Sequence, residues 1–547
     1  MMRIRHSLLV GIIKRLLRNS RFFSSLISIR YCPFDDRRLK MSEPKMSSGR
    51  MPGKIPAILP ILVLLVIMIT NYVLGWGQDP HIPVLIACVV AMIVGRVYGF
   101  TYKEMLAGAL SAVSQSLEAI IIILCVGCLI GSFEWSGAIP AVVYYGLKII
   151  APGMFLPLAC ILCSIVGIAL GSAWTVTATL GIAFMSIGAT MGLNPALVAG
   201  MILSGACTGD KLSPLSDSTN LAAGTAQTGL FDHVRAMMTP TLPSLCIAII
   251  LYAIISIKAS GDYDPEVANE LSNAIVEHYE FMHPVLLIPF IAIFVVAILK
   301  VPALPGILLL SGLGGVFAVI FQHANFSDLI TMWHYGYEAE TGNELCDSLL
   351  NKGGMDSMLW TNNLVIIAVG FGGILQTIRA VESILGGLIH KVRTVFQLVL
   401  VTIITGMFCI TTMCDQYLGL IIPAAMYKDK YDEMGLGRNM LSRTMEDGGT
   451  LWSPLVPWSS CGAYHSNILG VSTLAYLPFC FMNLINPVFA LVTSAMKVNI
   501  FWADGSRTGF TGKLRKGDPA GAPDDAHAKA MEALARIREE NGEDTRE

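Results

Sequence analysis

The chain has 547 residues, of which 54% are hydrophobic and 14% charged, and its formal net charge is −2. Soluble proteins carry about 25% charged residues, so this composition excludes an ordinary soluble domain, and the near-neutral charge argues against nucleic acid as a partner. The thirteen cysteines form no disulfide framework. Two CxxC pairs, Cys125/Cys128 and Cys160/Cys163, sit in apolar runs without the polar support that a zinc or redox site needs, and read as packing.

Residues 1–50 are a basic N-terminal extension. Arg3, Arg5, Lys14, Arg15, Arg18, Arg21 and Arg30 precede Pro33 with no acid among them. The preferred reading is an upstream start, with the working protein beginning at Met41; a transit-like or surface amphipathic segment is the alternative. Residues 51–116 hold the N-terminal helices, with apolar runs at 55–74 and 81–98. A first unit, 117–258, contains runs at 117–133, 138–150, 154–172, 174–192, 195–207 and 236–258. Residues 259–360 are linking helices (283–299 and 303–322) and acidic loops. A second unit, 361–496, has runs at 361–378, 396–412, 415–427 and 468–495, and 497–547 form a soluble charged tail with a short helix over 524–540.

About 20 apolar residues span a bilayer core. Several of these runs are shorter and read as half-helices, so about 11–13 crossings are expected. The loop 259–282 has Asp262, Asp264, Glu266, Glu270, Glu277 and Glu280 with no Lys or Arg, and 323–360 has Lys352 alone. Those loops read as external, and the segments with Arg50, Lys54, Arg96 and Lys103 as cytoplasmic. Gly127/Gly131, Gly167/Gly171 and Gly188/Gly192 have the spacing of helix-contact faces.

The two units echo each other. Gly127 aligns with Gly370 at an offset of 243, whereas Ser213-Pro214-Leu215 aligns with Ser453-Pro454-Leu455, and Thr175 with Asp415, at 240. Duplication with interrupted segments at matching positions points to a secondary transporter with its site between the repeats. The fold class is therefore all-α: a polytopic helical membrane protein, a two-repeat secondary transporter with re-entrant hairpins and broken helices. Inverted copies fit the first helices, but Lys428, Lys430, Arg438 and Arg443 put the segment 428–443 on the wrong side.

Each Ser-Pro reads as a hairpin break, with Pro214 or Pro454 in the first turn of a half-helix and Ser213 or Ser453 capping it. Carboxylates cluster there: Asp210 and Asp217 flank the first break, Glu446 and Asp447 precede the second, and Asp415 lies in an apolar run. A charge inside a bilayer costs at least about 2.5 kcal/mol, so five such groups are candidate cation and proton ligands. Ser213, Thr219, Asn220 and Thr175 add oxygen donors, with Asp217 and Asp415 as the carboxylates to hold a metal cation. A carboxylate that takes either a proton or a cation is the minimal chemistry of exchange. Plainer readings stand beside this: a solvated Asp210–Lys211 pair, a helix-start role for Asp217, and an aqueous loop at Glu446-Asp447.

The blocks "GSAWTVTATLGIAFMSIG", "GDKLSPLSDSTNLAAGTAQTGLFDHVR" and the stretch from "MCDQYLGL" to "GGTLWSPLVPWSSCGAY" resemble the NhaC-type sodium/proton antiporter family over most of 55–495. The resemblance implies sodium leaving and protons entering across a plasma or bacterial inner membrane, with sodium and protons as cargo and no cofactor. It carries Asp210, Ser213, Asp217 and Asn220 into the first hairpin motif, and Glu446, Asp447, Ser453 and Pro454 into the second; Asp415 matches the aspartate of "DQYL". Members of that family often have an acid after "GGIL", where this chain has Gln376. A sodium- and proton-coupled exchanger of organic acids such as malate and lactate is the alternative. The expected partners are the lipid bilayer, monovalent cations and protons, with a homodimer as the assembly to test. No enzyme motif is present, and no catalytic residues are expected.

Overall fold

The computed structural model describes residues 49–76, 79–259, 264–299, 301–389 and 392–509. The basic extension before residue 49 and the helix expected over 524–540 lie outside the described residues.

The described residues are helical almost throughout, with two isolated β-bridges near the C-terminal end. Among the described residues, eight helices are long and apolar enough to cross a membrane, and the bent pair Thr473–Phe479 and Phe481–Ala495 makes a ninth if it is one span. The expected 11–13 crossings are reached only if the shorter apolar helices His81–Val97, Ala138–Ile149 and Pro284–Val296 also cross. This is a multi-pass integral membrane protein. Several helices absent from the apolar pattern are polar on one side. Tyr102–Gln115 starts with a capping box between Thr101 and Glu104, and Pro265–His278 is capped by Asp264. Neither announces itself to a search for continuous apolar runs.

Left-handed backbone marks the same points in both halves. Gly171 and Cys414, Gly192 and Gly435, and Gln227 and Gly470 all have positive φ, and each pair is 243 residues apart. Helices Pro195–Leu212 and Arg438–Gly448 begin at that spacing, as do Asp217–Ala226 and Ser460–Leu469. The offset of 240 read from the Ser-Pro pairs is therefore displaced by three. In the structural register Ser216 matches Ser459, and Ser172 matches Asp415. The physical reason is unequal length at the break: the helix before it runs 18 residues in the first half and 11 in the second.

The half-helix starts also shift. Ser213 closes the helix Pro195–Leu212, its hydroxyl accepts from the Leu215 N–H at 3.2 Å, and the next helix begins at Asp217, not Pro214. Ser453-Pro454-Leu455 forms one 3-10 turn, and the following helix starts at Ser460, capped by Ser459 through the Gly462 N–H at 2.9 Å.

Glycines set the closest helix approach. A Cβ on Gly209 would lie 2.5 Å from Gly167 Cα and from the Ser164 carbonyl oxygen, so helices Phe155–Leu170 and Pro195–Leu212 touch backbone to backbone. The core lies between the halves. Trp174 stacks on Tyr464 with ring centroids 4.5 Å apart, and His233 Nδ1 sits 2.7 Å from the Ser442 hydroxyl. The chain after the last long helix folds back. Ile500, Phe501 and Trp502 are buried against the turn at Leu436, where the Gly437 N–H donates to the Phe501 carbonyl at 2.9 Å.

Candidate cation and proton site

Two helices stop inside the protein, and their last turns meet. Lys211 lies one residue from the end of Pro195–Leu212, and Asp447 one residue from the end of Arg438–Gly448. The Lys211 ammonium donates to Asp447 Oδ1, and both side chains have 0% exposure. Asn486 Nδ2 donates to the same oxygen at 2.7 Å. Arg443, one turn before Asp447, places Nε 3.5 Å from Oδ2 and is itself buried. Asn486 comes from the helix Phe481–Ala495, where Pro487 has no N–H to offer the Asn483 carbonyl.

The cluster is incompletely satisfied. Among the described residues, neither oxygen of Glu446 closes to a hydrogen bond, nor do Thr450 Oγ1, Ser453 Oγ and Asp447 Oδ2, and all are buried. An unpartnered buried polar group costs about 1–3 kcal/mol, and more if charged. Ion-binding sites tolerate such groups because the ligand supplies the missing bond. Lys211 and Arg443 thus both reach Asp447, with Glu446 next to it in the chain, and all four side chains are buried.

The remaining candidates form a second group around Tyr417. Asp210, Asp217, Asp415 and Cys461 all act electrostatically on its hydroxyl. Asp210 is half-buried and also acts on Glu446, so it links the two groups. Asp217 is exposed as the first residue of its helix. Asp415 is buried and accepts from the Leu418 N–H at 3.0 Å, the start of Leu418–Glu433, just as Ser172 accepts from Thr175 at 3.2 Å. Asp217 and Asp415, the carboxylates expected to hold a metal cation, both belong to this second group. Among the described residues, no three His, Cys, Asp or Glu side chains converge to hold a metal ion.

Several predicted oxygen donors are committed to the hairpin. Thr219 Oγ1 donates to the Lys211 carbonyl at 3.1 Å, and Asn220 Nδ2 to the Pro214 and Ser216 carbonyls at 3.0 and 2.8 Å. Thr175 Oγ1 bonds Ser172 within its own cap at 3.1 Å, and the Pro454 carbonyl accepts from the Tyr476 hydroxyl at 2.6 Å. These bonds hold the breaks in shape. Two plainer readings are corrected here. Lys211 is not a solvated partner of Asp210, and Glu446-Asp447 is not an aqueous loop. Arg443 marks no face of the membrane, because it too is buried.

Sequence reasoning missed Arg443 and Asn486 as site residues. The signals were present: Arg443 and Asp447 share one helix face at i, i+4, and an Asn-rich, Pro-broken stretch interrupts the apolar run 468–495. Gln376, which follows the "GGIL" stretch, is exposed.

The Na+/H+ antiporter family profile matches residues 205–498, just over half of the chain. That match begins in the helix of Lys211 and ends beyond Asn486. This chain belongs to the Na+/H+ antiporter family. The antiporter is 35% identical over 444 residues to the malate-2H(+)/Na(+)-lactate antiporter of Bacillus subtilis (strain 168), covering 80% of this chain and 94% of that protein. It is 32% identical over 441 residues to the Na(+)/H(+) antiporter NhaC of Alkalihalophilus pseudofirmus, with the same coverage. It is also 32% identical over 500 residues to the arginine/ornithine antiporter ArcD of Halobacterium salinarum, across 88% of this chain and 98% of that one. The antiporter's Lys211, Arg443, Glu446, Asp447 and Asn486 all fall within the family match.

Proposed function

We propose that this protein exchanges sodium for protons by alternating access, with sodium leaving and protons entering, and that sodium and the protonated Lys211 compete for Asp447. The observation that carries this reading is the buried Lys211–Asp447 contact at two helix ends, one from each half. The ammonium occupies the place a metal cation would take on the carboxylate. When sodium binds Asp447, it displaces Lys211. An ammonium left buried without its carboxylate is costly, so it gives up its proton. When sodium leaves, a proton returns and the contact re-forms. Glu446, buried beside it without a bonded partner, is a second proton carrier. Asp210 and Asp217 lead from the surface towards the pair, and Asp415 holds the helix start beside them. The chain acts as a transporter, with no catalytic residues and no cofactor. It works embedded in lipid, and a homodimer is the assembly to test.

A second reading follows from the excess of buried cations. Among the described residues Arg443 Nη2 has no hydrogen-bond partner, and Lys211 also reaches Asp447, so a substrate carboxylate could take the place of Asp447 between them. That would make the protein an exchanger of organic acids coupled to sodium and protons. Everted vesicles with a pH-sensitive dye separate the two readings. Each batch receives sodium, lithium, potassium, malate, lactate or arginine alone. Proton movement on adding sodium, absent in Asp447→Asn, is the expected result. A response to the organic substrates only would replace the first reading with the second.

A further inference from the structure

Helix Leu117–Trp135 carries, one residue before its end, an acidic side chain that the exchange site does not use. Glu134 has 0% exposure, and neither of its carboxyl oxygens has a hydrogen-bond partner among the described residues. It lies at the opposite end of that helix from Glu118, towards the face that carries the acidic loops. Its backbone carbonyl accepts from the Tyr279 hydroxyl at 2.8 Å. The Tyr337 hydroxyl, 2.8 Å from His278 Nε2, also acts on it electrostatically.

A cavity of about 300 Å³ lies alongside. Its walls include Ile130 from the same helix, Tyr337, Asn351, Lys352, Ser357 and Asn467. Lys352 acts on Glu134 from that wall without closing to an ion pair. The ionisable groups around Glu134 are thus Lys352, Tyr279, Tyr337 and Cys346, with His278 and Asp347 one step outward and Glu338 on the cavity wall.

An isolated carboxylate anion in such a place is strongly disfavoured. A metal cation is opposed by the Lys352 charge and finds no cage of oxygens. A proton needs neither, and neutralises the group by itself. We propose that Glu134 is a proton-binding site, separate from the Asp447 cluster, that is loaded from the acidic-loop face through the cavity and the Tyr337 hydroxyl. Neither Glu134 oxygen bonds the Tyr337 hydroxyl at rest, so the carboxylate turns towards it to take the proton, and Tyr337 takes one in return from the cavity or from His278. The net change is one proton added to the carboxylate. Half-burial keeps His278 below its ordinary value against the pull of Asp347, so its imidazole is free to accept and pass on a proton.

This rests on the proton-coupled reading above, and the test separates the two. The full chain is purified and reconstituted as wild type, Glu134→Gln, Asp447→Asn and Tyr337→Phe. Infrared difference spectra between low and high pH report the C=O stretch of protonated carboxylic acids. The expected result is a band lost in Glu134→Gln and kept in Asp447→Asn. In right-side-out and everted vesicles, Glu134→Gln loses the pH dependence set on the acidic-loop side and keeps the other, and Tyr337→Phe slows exchange while retaining the band. If Glu134→Gln does not fold, Glu134→Asp takes its place, and the band must then shift. A band unchanged in either Glu134 variant overturns the proposal. Full exchange in Asp447→Asn overturns the exchange site and leaves the Glu134 band to be judged by itself.

Discussion

Asp447 carries more of the chemistry than any other side chain, because three donors converge on it from three helices. Lys211 and Asn486 share one oxygen, and Arg443 approaches the other. Removing one partner of a buried pair leaves the other charge uncompensated, at a cost of about 3–5 kcal/mol. Asp447→Asn will therefore lose sodium-dependent proton movement and also lower the unfolding temperature of the purified protein. Adding Lys211→Met to that variant will recover part of the stability and none of the transport. Thermal unfolding in detergent, beside the vesicle assay, checks both. A double variant no more stable than the single one would show that Lys211 does not depend on Asp447 for its charge.

At the scale of elements, the antiporter depends on where helices stop and how closely they pass. Gly209 precedes Asp210 and Lys211 and rests on the Gly167 backbone. A methyl group there has no room, and neither facing atom belongs to a flexible side chain. Gly209→Ala will cost about 1–3 kcal/mol and displace Lys211 from Asp447. The measurement is loss of exchange together with a lower unfolding temperature. Gly224→Ala is the control, because nothing lies near its added Cβ. The loop on the acidic side has its own device. The Thr341 hydroxyl and N–H donate to Asp347 Oδ1 at 2.6 and 2.7 Å, and hold that carboxyl below the usual carboxylate range. A lowered folded value means that the loop's stabilisation is present above the ordinary carboxylate pKa. It is lost as pH falls through the lower folded one. Limited proteolysis over 338–351 will therefore accelerate only at strongly acidic pH in the wild type. Asp347→Asn will be cleaved quickly at every pH.

At the scale of the whole molecule, exchange needs the halves to part on one side and then on the other. One contact that must break is visible. Gln227, the left-handed cap of Asp217–Ala226, accepts from Lys428 Nζ at 2.6 Å and from the Arg438 guanidinium, joining the first half to the second. Gln227→Glu turns these bonds into an ion-pair network at an exposed site, worth up to about 1 kcal/mol, or roughly fivefold in rate. Exchange will slow by that factor at low ionic strength and recover as salt screens the charges. A rate independent of Gln227→Glu at low salt would mean that this contact does not limit opening.

Much of this protein was legible in the sequence, and the division follows from range. Composition and apolar runs determined a polytopic helical membrane protein, because backbone groups in lipid must bond within their own segment. Asp210, Ser213, Asp415, Glu446 and Asp447 stood out because a polar side chain is costly where those runs place it. Gly171 and Gly192 read by their spacing as helix-contact positions, and only the structure shows that they, like Gly470, take left-handed backbone, which glycine adopts without strain. Partnership was not local. Lys211 sits beside Asp210 in the chain, yet its charge is met by Asp447, 236 residues away. Arg443 looked like a marker of one membrane face and lies buried in the site. Glu134 passed unnoticed in an apolar helix until its surroundings placed it beside a cavity. The chain itself determined where it breaks and which groups are expensive to bury. Only the packing of one half against the other decided which of those groups neutralise each other and which are left open for an ion, because charge compensation depends on distance through space.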